Sequence, residues 1–418
     1  MGLAEATDHK AGQPPPCVLF YCQGSLDLKA FGRFREGLAA NGWSMAVVTA
    51  APSVWLAATL SGIPCQLSDW RGAAPTADID VMHSYEGRRG WTDARKGGRF
   101  AASLWLGLER AVERFAPEVV VQWNGGALGG RVVAAFATSK GLRTGYVELG
   151  NIDSKLFVDS DGVSAASRVA RTPTMIDHHI VDEAQLQNWR RNFAQRSAGG
   201  AIVPQTVLVR RVNPLFLINW IGANILRLPT AAPVSLCRKL MELQRAFRCR
   251  TPRAVLPTGP YIVLPLQVST DSSLVLSGWD NDKALRVAAD RARGLGLKLV
   301  VKPHPAERDG PMLARLERVC REEGHLWTGA SIIPLVEQAA EVITINSTVG
   351  LLAKILGRPV RVLGESLYGR FSERQAQVFA FRHLIDFDPF GAEPASPQAA
   401  ARLIQMARRA EEPLQGAA

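Results

Sequence analysis

The sequence predicts an α/β protein built from two doubly wound halves. Three observations lead there. Apolar runs of strand length alternate with segments of helical periodicity. The alternation stops in a mostly helical middle and then resumes. The chain has 418 residues, the length of two ordinary domains rather than one. Hydrophobic residues make up 47% and charged residues 21%, the balance of a packed chain, which excludes disorder away from the ends.

The first half opens with Cys17–Cys22 (CVLFYC), an apolar run of buried-strand type. Gln23-Gly24-Ser25 leave it. A helical pattern follows from Leu28 to Ala40, with Phe31, Phe34, Leu38 and Ala39 on one face and Gly42 as its stop. Ser44–Thr49 is the next strand. The unit recurs as helix Phe100–Phe115, strand Glu118–Gln122, helix Ala127–Ser139 and strand Thr144–Glu148. Gly150–Gly162 then breaks the pattern with acidic residues, and 182–253 reads as mostly helical around a proline-bearing join, Pro229–Pro233. In the second half Tyr261–Leu266, Lys298–Lys302, Val342–Ile345 and Val360–Leu363 read as strands, with Asp282–Arg293, Pro311–Glu323 and Leu351–Leu356 helical between them. The expected division is a disordered tail at 1–15, an N-terminal acceptor-side domain with a helical insertion at 16–228, a C-terminal donor-binding domain at 229–390, and a helix and tail at 391–418.

The ends carry no basic start with an apolar core, so no signal peptide is expected. The longest apolar stretch, Pro214–Leu226, is shorter than the roughly 20 residues that span a bilayer. The six cysteines are scattered without a CxxC pair, which suggests free, mostly buried thiols. The formal net charge of +11 draws a protein to polyanions. No RNA-binding signature or Cys/His finger accompanies it, so the expected polyanion is a membrane surface rather than nucleic acid. Phe216, Leu217 and Trp220, beside Arg210, Arg211 and Arg227, fit either an amphipathic membrane contact or a buried core helix.

Doubly wound sheets bind ligands at the carboxyl ends of their strands, and four motifs stand there. Lys302-Pro303-His304-Pro305-Ala306-Glu307 follows a strand directly; its prolines stiffen the turn and present an imidazole able to donate to a phosphate oxygen. Asn346-Ser347-Thr348-Val349-Gly350 follows another strand and opens a helix, where hydroxyls, backbone N–H groups and the helix dipole favour an anion, and Gly350 permits close approach of the backbone. Gln267 and Asp271 lie on a polar loop that fits either a donor contact or a turn. In the first half, Glu148 and the run Asp159-Ser160-Asp161-Gly162-Val163 offer carboxylates for glycosyl transfer or simply a solvated loop, and Asp153, Asp159 and Asp161 are not ranked by spacing. Gln23, Asn124 and Asn151 are the acceptor-side candidates. The glycines near 125–130 form neither a dinucleotide fingerprint nor a phosphate loop. No metal site is expected, because the Asp159–Asp161 pair is not placed directly after a strand.

The order QGS, ELGN, DSDGV, PLQVSTDS, KPHPAE and INSTVGLLAKILGRPVRVLG resembles the capsular polysaccharide β-Kdo transferases of the capsule biosynthesis and export proteins. The resemblance spans about 20–371 and is most specific in the C-terminal motifs; Ser164 stands where the family often has asparagine, and NIDSKLF replaces a proline-bearing loop. It implies a GT-B-like fold of two Rossmann-like domains facing across a cleft. It further implies a retaining, metal-independent transferase with no cofactor, taking Kdo or a related sugar from a CMP-sugar. By the motif match Asp159, Glu148 and His304 would be catalytic, with Gln267, Asp271, Lys302, His304, Glu307, Asn346, Ser347, Thr348 and Gly350 on the donor. A lipid or glycolipid acceptor, the inner face of the cytoplasmic membrane and other capsule biosynthesis proteins are the expected partners. Two other classes share these motifs: a glycerophosphate-type transferase with a CDP-linked donor, and a non-catalytic nucleotide-binding subunit of a capsule assembly complex.

Overall fold

The computed structural model describes residues 14–69, 79–150, 152, 155–198, 215–237, 241 and 252–408. Asn151, Asp153, Arg210, Arg211 and both expected tails (apart from 14–15) lie outside the described residues.

Six strands form the first sheet: β1 (Cys17–Tyr21), β2 (Ser44–Thr49), β3 (Cys65–Leu67), β4 (Pro117–Trp123), β5 (Arg143–Leu149) and β6 (Leu156–Asp159), in the order β3-β2-β1-β4-β5-β6. All neighbours are parallel except β5 and β6. The valine run of β4 is buried on both faces, as a strand under helices on each side requires. The second sheet comprises β7 (Tyr261–Pro265), β8 (Lys298–Lys302), β9 (Leu326–Trp327), β10 (Glu341–Thr344) and β11 (Val360–Val362), all parallel, in the order β11-β10-β7-β8-β9. Each sheet reverses its strand order once, between β1 and β4 and between β7 and β10, so the chain has two Rossmann-like domains with ligand crevices at those points.

Three sequence expectations are corrected. The Leu28–Ala40 helix is two helices, Ser25–Gly32 and Arg35–Ala40. The first starts early because the Asp27 carboxylate accepts the Gln23 and Gly24 N–H groups. It breaks where Arg33 donates to the carbonyls of Asp388 and Glu393 and Phe34 packs against Phe387. The supposed break at Gly150–Gly162 contains β6, which folds back antiparallel on β5. Its alternation is hidden because both faces are apolar: Leu156 and Val158 join the first domain's core, while Phe157 joins a cluster with Phe379 and Leu384. The run from Asp159 therefore does begin at a strand's end.

The chain then crosses back. The helix Pro397–Arg408 lays Leu403, Ile404 and Ala407 into the core containing Val119, Val121 and Val147. Gly145 is required there, since a Cβ would stand 2.7 Å from the Ala407 methyl. The helix Phe216–Asn224 is neither wholly core nor wholly exposed. It packs on Pro52 through Gly222 and half-buries Phe216 and Trp220, but leaves Leu217, Ile221, Ile225 and Leu226 exposed. No helix among the described residues is long and apolar enough to cross a membrane.

Candidate active site

The crevice between β7 and β10 is built by side-chain amides. Gln267, just past β7, donates from Nε2 to Asn346 Oδ1 (2.7 Å) and accepts the Asn346 N–H at Oε1 (3.1 Å). Asn281 holds the Gln267 backbone on both sides, and Asn346 Nδ2 donates to the Ser273 carbonyl. Ser347 caps the helix Thr348–Ile355, its Oγ accepting the Val349 N–H. Tyr368 donates its hydroxyl to the Ser347 carbonyl. This contact explains Gly350 differently from the sequence reading. A Cβ at Gly350 would stand 2.3 Å from the Tyr368 hydroxyl, so the close approach is that of a buried tyrosine rather than of a ligand.

The turn after β8 orients His304. Its Nδ1 accepts the Ala306 N–H at 3.0 Å, which places the ring proton on Nε2. Burial holds the imidazole pKa below its usual value, so it is a neutral donor at pH 7. Glu307 is buried and bonds away from the cleft. Its carboxylate accepts the Ser269 N–H and hydroxyl and the N–H groups of Arg308 and Asp309, fastening the loops after β7 and β8 together. Asp271 caps the helix Ser272–Ser277 by accepting the Ser273 N–H at 2.8 Å.

A cavity of about 480 Å³ lies over this crevice, lined by Gln267, Asp271, His304, Asn346, Ser347 and Thr348 on one side and by Trp123, Asn124, Glu148 and Lys155 on the other. A second, of about 620 Å³, adjoins it and is also lined from both domains, by Asn124, Tyr146, Glu148 and Asp161 on one side and Ser272, Leu276, Asn346 and Glu365 on the other. Asn124, Glu148, Ser164, Ser272, Ser273 and Asn346 line both. Lys302 and Glu307 are not among the lining residues, and burial lowers the Lys302 pKa. Gln23 lines a neighbouring cavity of about 420 Å³, together with Asn124 and Ser272.

Glu148, near the end of β5, therefore sits where the two cavities meet. Burial and the nearby charge of Asp271 raise its carboxyl pKa to about 7, against the pull of the Ser164 N–H. Ser164 presents that N–H from a left-handed conformation (φ 53°). Asn124 is also left-handed (φ 36°); its Oδ1 accepts the Gly126 N–H, and its Nδ2 meets Ser272 Oγ across the domains at 3.5 Å. Tyr85 makes a second bridge, donating to the Thr270 carbonyl at 2.8 Å.

Asp159 is placed differently. It is buried outside both cavities, with Oδ1 accepting the Asp161 N–H (2.9 Å) and Oδ2 the Arg168 N–H (3.0 Å). Asp161 lines the larger cavity, paired with Arg171. The glycine-rich start of the helix Leu128–Lys140 is occupied from within the chain, since Glu86 accepts the Leu128 N–H at 2.7 Å. Among the described residues no cluster of three His, Cys, Asp or Glu could hold a metal ion. Sequence reasoning assigned no role to Lys155, Tyr368 or Trp123; Lys155 stood only within NIDSKLF, and non-local packing is what marks all three.

Residues 118–372 match the family model described as "Capsule polysaccharide biosynthesis protein", a span that includes both walls of the cleft. The chain belongs to this family. No curated protein matches it. Among solved structures, the capsule family member is similar to the Thermosulfurimonas dismutans KpsC beta Kdo 2,7 transferase (13% identity, 93% of this chain and 99% of that one, TM-score 0.41). The beta Kdo 2,4 transferase of the same KpsC gives 12% identity, 94% and 98% coverage and a TM-score of 0.45. The Methanocaldococcus jannaschii UDP-GlcNAc 2-epimerase gives 10% identity, 93% and 98% coverage and a TM-score of 0.32.

Proposed function

We propose that this capsule family member is a glycosyltransferase that moves Kdo, or a related sugar, from a CMP-sugar to a hydroxyl of a lipid or glycolipid acceptor, building the linker of a capsular polysaccharide. One observation carries the reading: an imidazole Nε2–H and the hydroxyls at a helix start, from one domain, share a cavity with a carboxylate of raised pKa from the other. The first set suits the phosphate of a departing CMP, because neutral donors and a helix dipole stabilise the charge that develops there. The carboxylate suits the anomeric carbon.

In the retaining course, ionised Glu148 attacks the anomeric carbon as the sugar–phosphate bond breaks, and CMP leaves with the electron pair. The Nε2–H of His304 and the hydroxyls of Ser347 and Thr348 hold its phosphate. The acceptor hydroxyl then displaces Glu148, passing its proton to the CMP phosphate. Glu148 takes the catalytic role in preference to Asp159, because both oxygens of Asp159 are already engaged by backbone N–H groups. A single donor phosphate needs no metal in this scheme.

The larger cavity, which Glu148 also lines, fits the acceptor. A cytoplasmic protein resting on the inner membrane surface is consistent with its charge of +11 and with exposed Leu217, Ile221, Ile225 and Leu226 beside Arg227. The test is product formation from CMP-Kdo and a lipid acceptor with chelator present, together with mass spectrometry of the protein for a covalently held sugar. Glu148→Gln and His304→Ala should each lower kcat/KM by about 10²–10⁴. Turnover of CDP-glycerol but not of CMP-Kdo would overturn the reading.

A further inference from the structure

The donor-side cavity holds a cation that neither the phosphate site nor the proposed nucleophile uses. Lys155 ends the hairpin loop between β5 and β6, and its backbone is fixed from three sides. Its carbonyl accepts the Gly150 N–H at 2.7 Å, and its N–H donates to the Ile152 carbonyl at 3.3 Å. The next residue, Leu156, exchanges two hydrogen bonds with Ile385, at 3.0 and 2.8 Å. Gly150 is required in this turn, since a Cβ there would stand 2.9 Å from the Lys155 carbonyl oxygen. From that anchored position the side chain lines the cavity beside Trp123, Leu149 and Phe390, and its ammonium reaches the Ala380 carbonyl only at 3.5 Å. Among the described residues, the other ionisable side chains lining this cavity are Glu148, Asp271, His304 and Tyr368, so Lys155 is its single lysine or arginine.

We propose that Lys155 binds a second anionic group of the donor, the carboxylate on the sugar's anomeric carbon, and so selects acidic sugars. This rests on the CMP-sugar reading. A CMP-linked ulosonic acid carries two anions, a phosphate and a carboxylate joined to the same carbon. His304 and the Thr348–Ile355 helix start serve the phosphate from the C-terminal domain. The carboxylate then lies against the N-terminal wall, next to Glu148. Two carboxylates in one cavity repel, desolvation makes the repulsion stronger, and a cation lining the same cavity offsets it. Lys155 is on the same hairpin as Glu148 and supplies that cation.

A diphosphate donor would present a second anion of a different kind, so three probes are needed: CMP, CDP and CMP-Kdo. Their dissociation constants are measured on the full chain for wild type, Lys155→Met and Lys155→Arg, with thermal melting to establish that each variant is folded. Lys155→Met should weaken CMP-Kdo by about tenfold to a hundredfold, the usual effect of losing a charge-assisted contact, while CMP and CDP change less than about twofold. Lys155→Arg should recover most of the loss. Equal weakening of CMP and CMP-Kdo, or no weakening of CMP-Kdo, overturns the proposal, and so does a loss confined to CDP. Failure of wild type to bind CMP would instead remove the donor reading on which the proposal rests.

Discussion

Gln267 and Asn346 face each other across the switch point of the second sheet and are joined by two hydrogen bonds, at 2.7 and 3.1 Å. Each side chain satisfies the other, and one of the bonds reaches the backbone just before the Thr348–Ile355 helix. The two loops that carry the proposed donor contacts are thus one rigid unit. Gln267→Ala would leave the Asn346 amide and N–H without these partners in a half-buried site, at a cost of about 1–3 kcal/mol. The expected outcome is a lower melting temperature and a raised KM for the donor. In a double-mutant cycle with Asn346→Ala the two losses should fall clearly short of additive. Additive losses would mean that the pair does not act together.

Asp159 and Glu148 should separate when stability and activity are measured side by side. Asp159→Asn sets an amide NH2 against one of the two N–H groups the carboxylate now accepts, so it should cost about 1–3 kcal/mol of stability. Its activity should track the folded fraction and return when the assay is cooled. Glu148→Gln should remain folded and lose turnover. An Asp159→Asn protein that melts like wild type yet is inactive would restore Asp159 to the chemistry.

The second domain's site was legible in the sequence because its residues follow strands immediately: His304 two places after β8, Asn346 two places after β10, Gln267 two places after β7. A local pattern is enough to find such positions. What each residue does was less legible. Glu307 and Gly350 were both read as donor contacts, but Glu307 fastens two backbone loops and Gly350 yields space to Tyr368, eighteen positions on. In the first domain the signal fades, because Lys155 and β6 are held by Ala380, Ile385 and Phe379 from the returning C-terminal segment. Contacts more than two hundred residues apart leave no periodicity to read. The fold class survived because each strand carries its own apolar run, whereas β3 and β9 were missed as strands of three and two residues.

Gly350 gives a third test. Gly350→Ala drives a methyl into the Tyr368 hydroxyl and ring, with carbon–carbon approaches of 2.6–2.7 Å. Overpacking of this kind costs about 1–3 kcal/mol. Because Tyr368 also holds the Ser347 carbonyl, the displaced ring should disturb the helix start as well. Melting temperature and donor affinity should therefore fall together. A normal melting temperature with lost affinity would point back to a ligand contact at Gly350.

The raised pKa of Glu148 makes the pH dependence of turnover specific. A nucleophile must be ionised, so kcat/KM should rise with pH through about 7. Asp271 is one cause of that elevation, and it acts as a like charge. Asp271→Asn removes the charge but keeps a side chain that caps the Ser272–Ser277 helix well. The acidic limb should therefore move to lower pH, by less than about one unit, while melting stays near wild type. The linkage to stability has the matching sign. The folded state favours the protonated carboxyl, so that contribution is present below about pH 4.5 and is lost as pH rises through 7. Glu148→Gln should accordingly be more stable than wild type at alkaline pH, by about 3 kcal/mol, and show no such gain in acid. An acidic limb that stays in place in Asp271→Asn would mean that another group titrates in the rate.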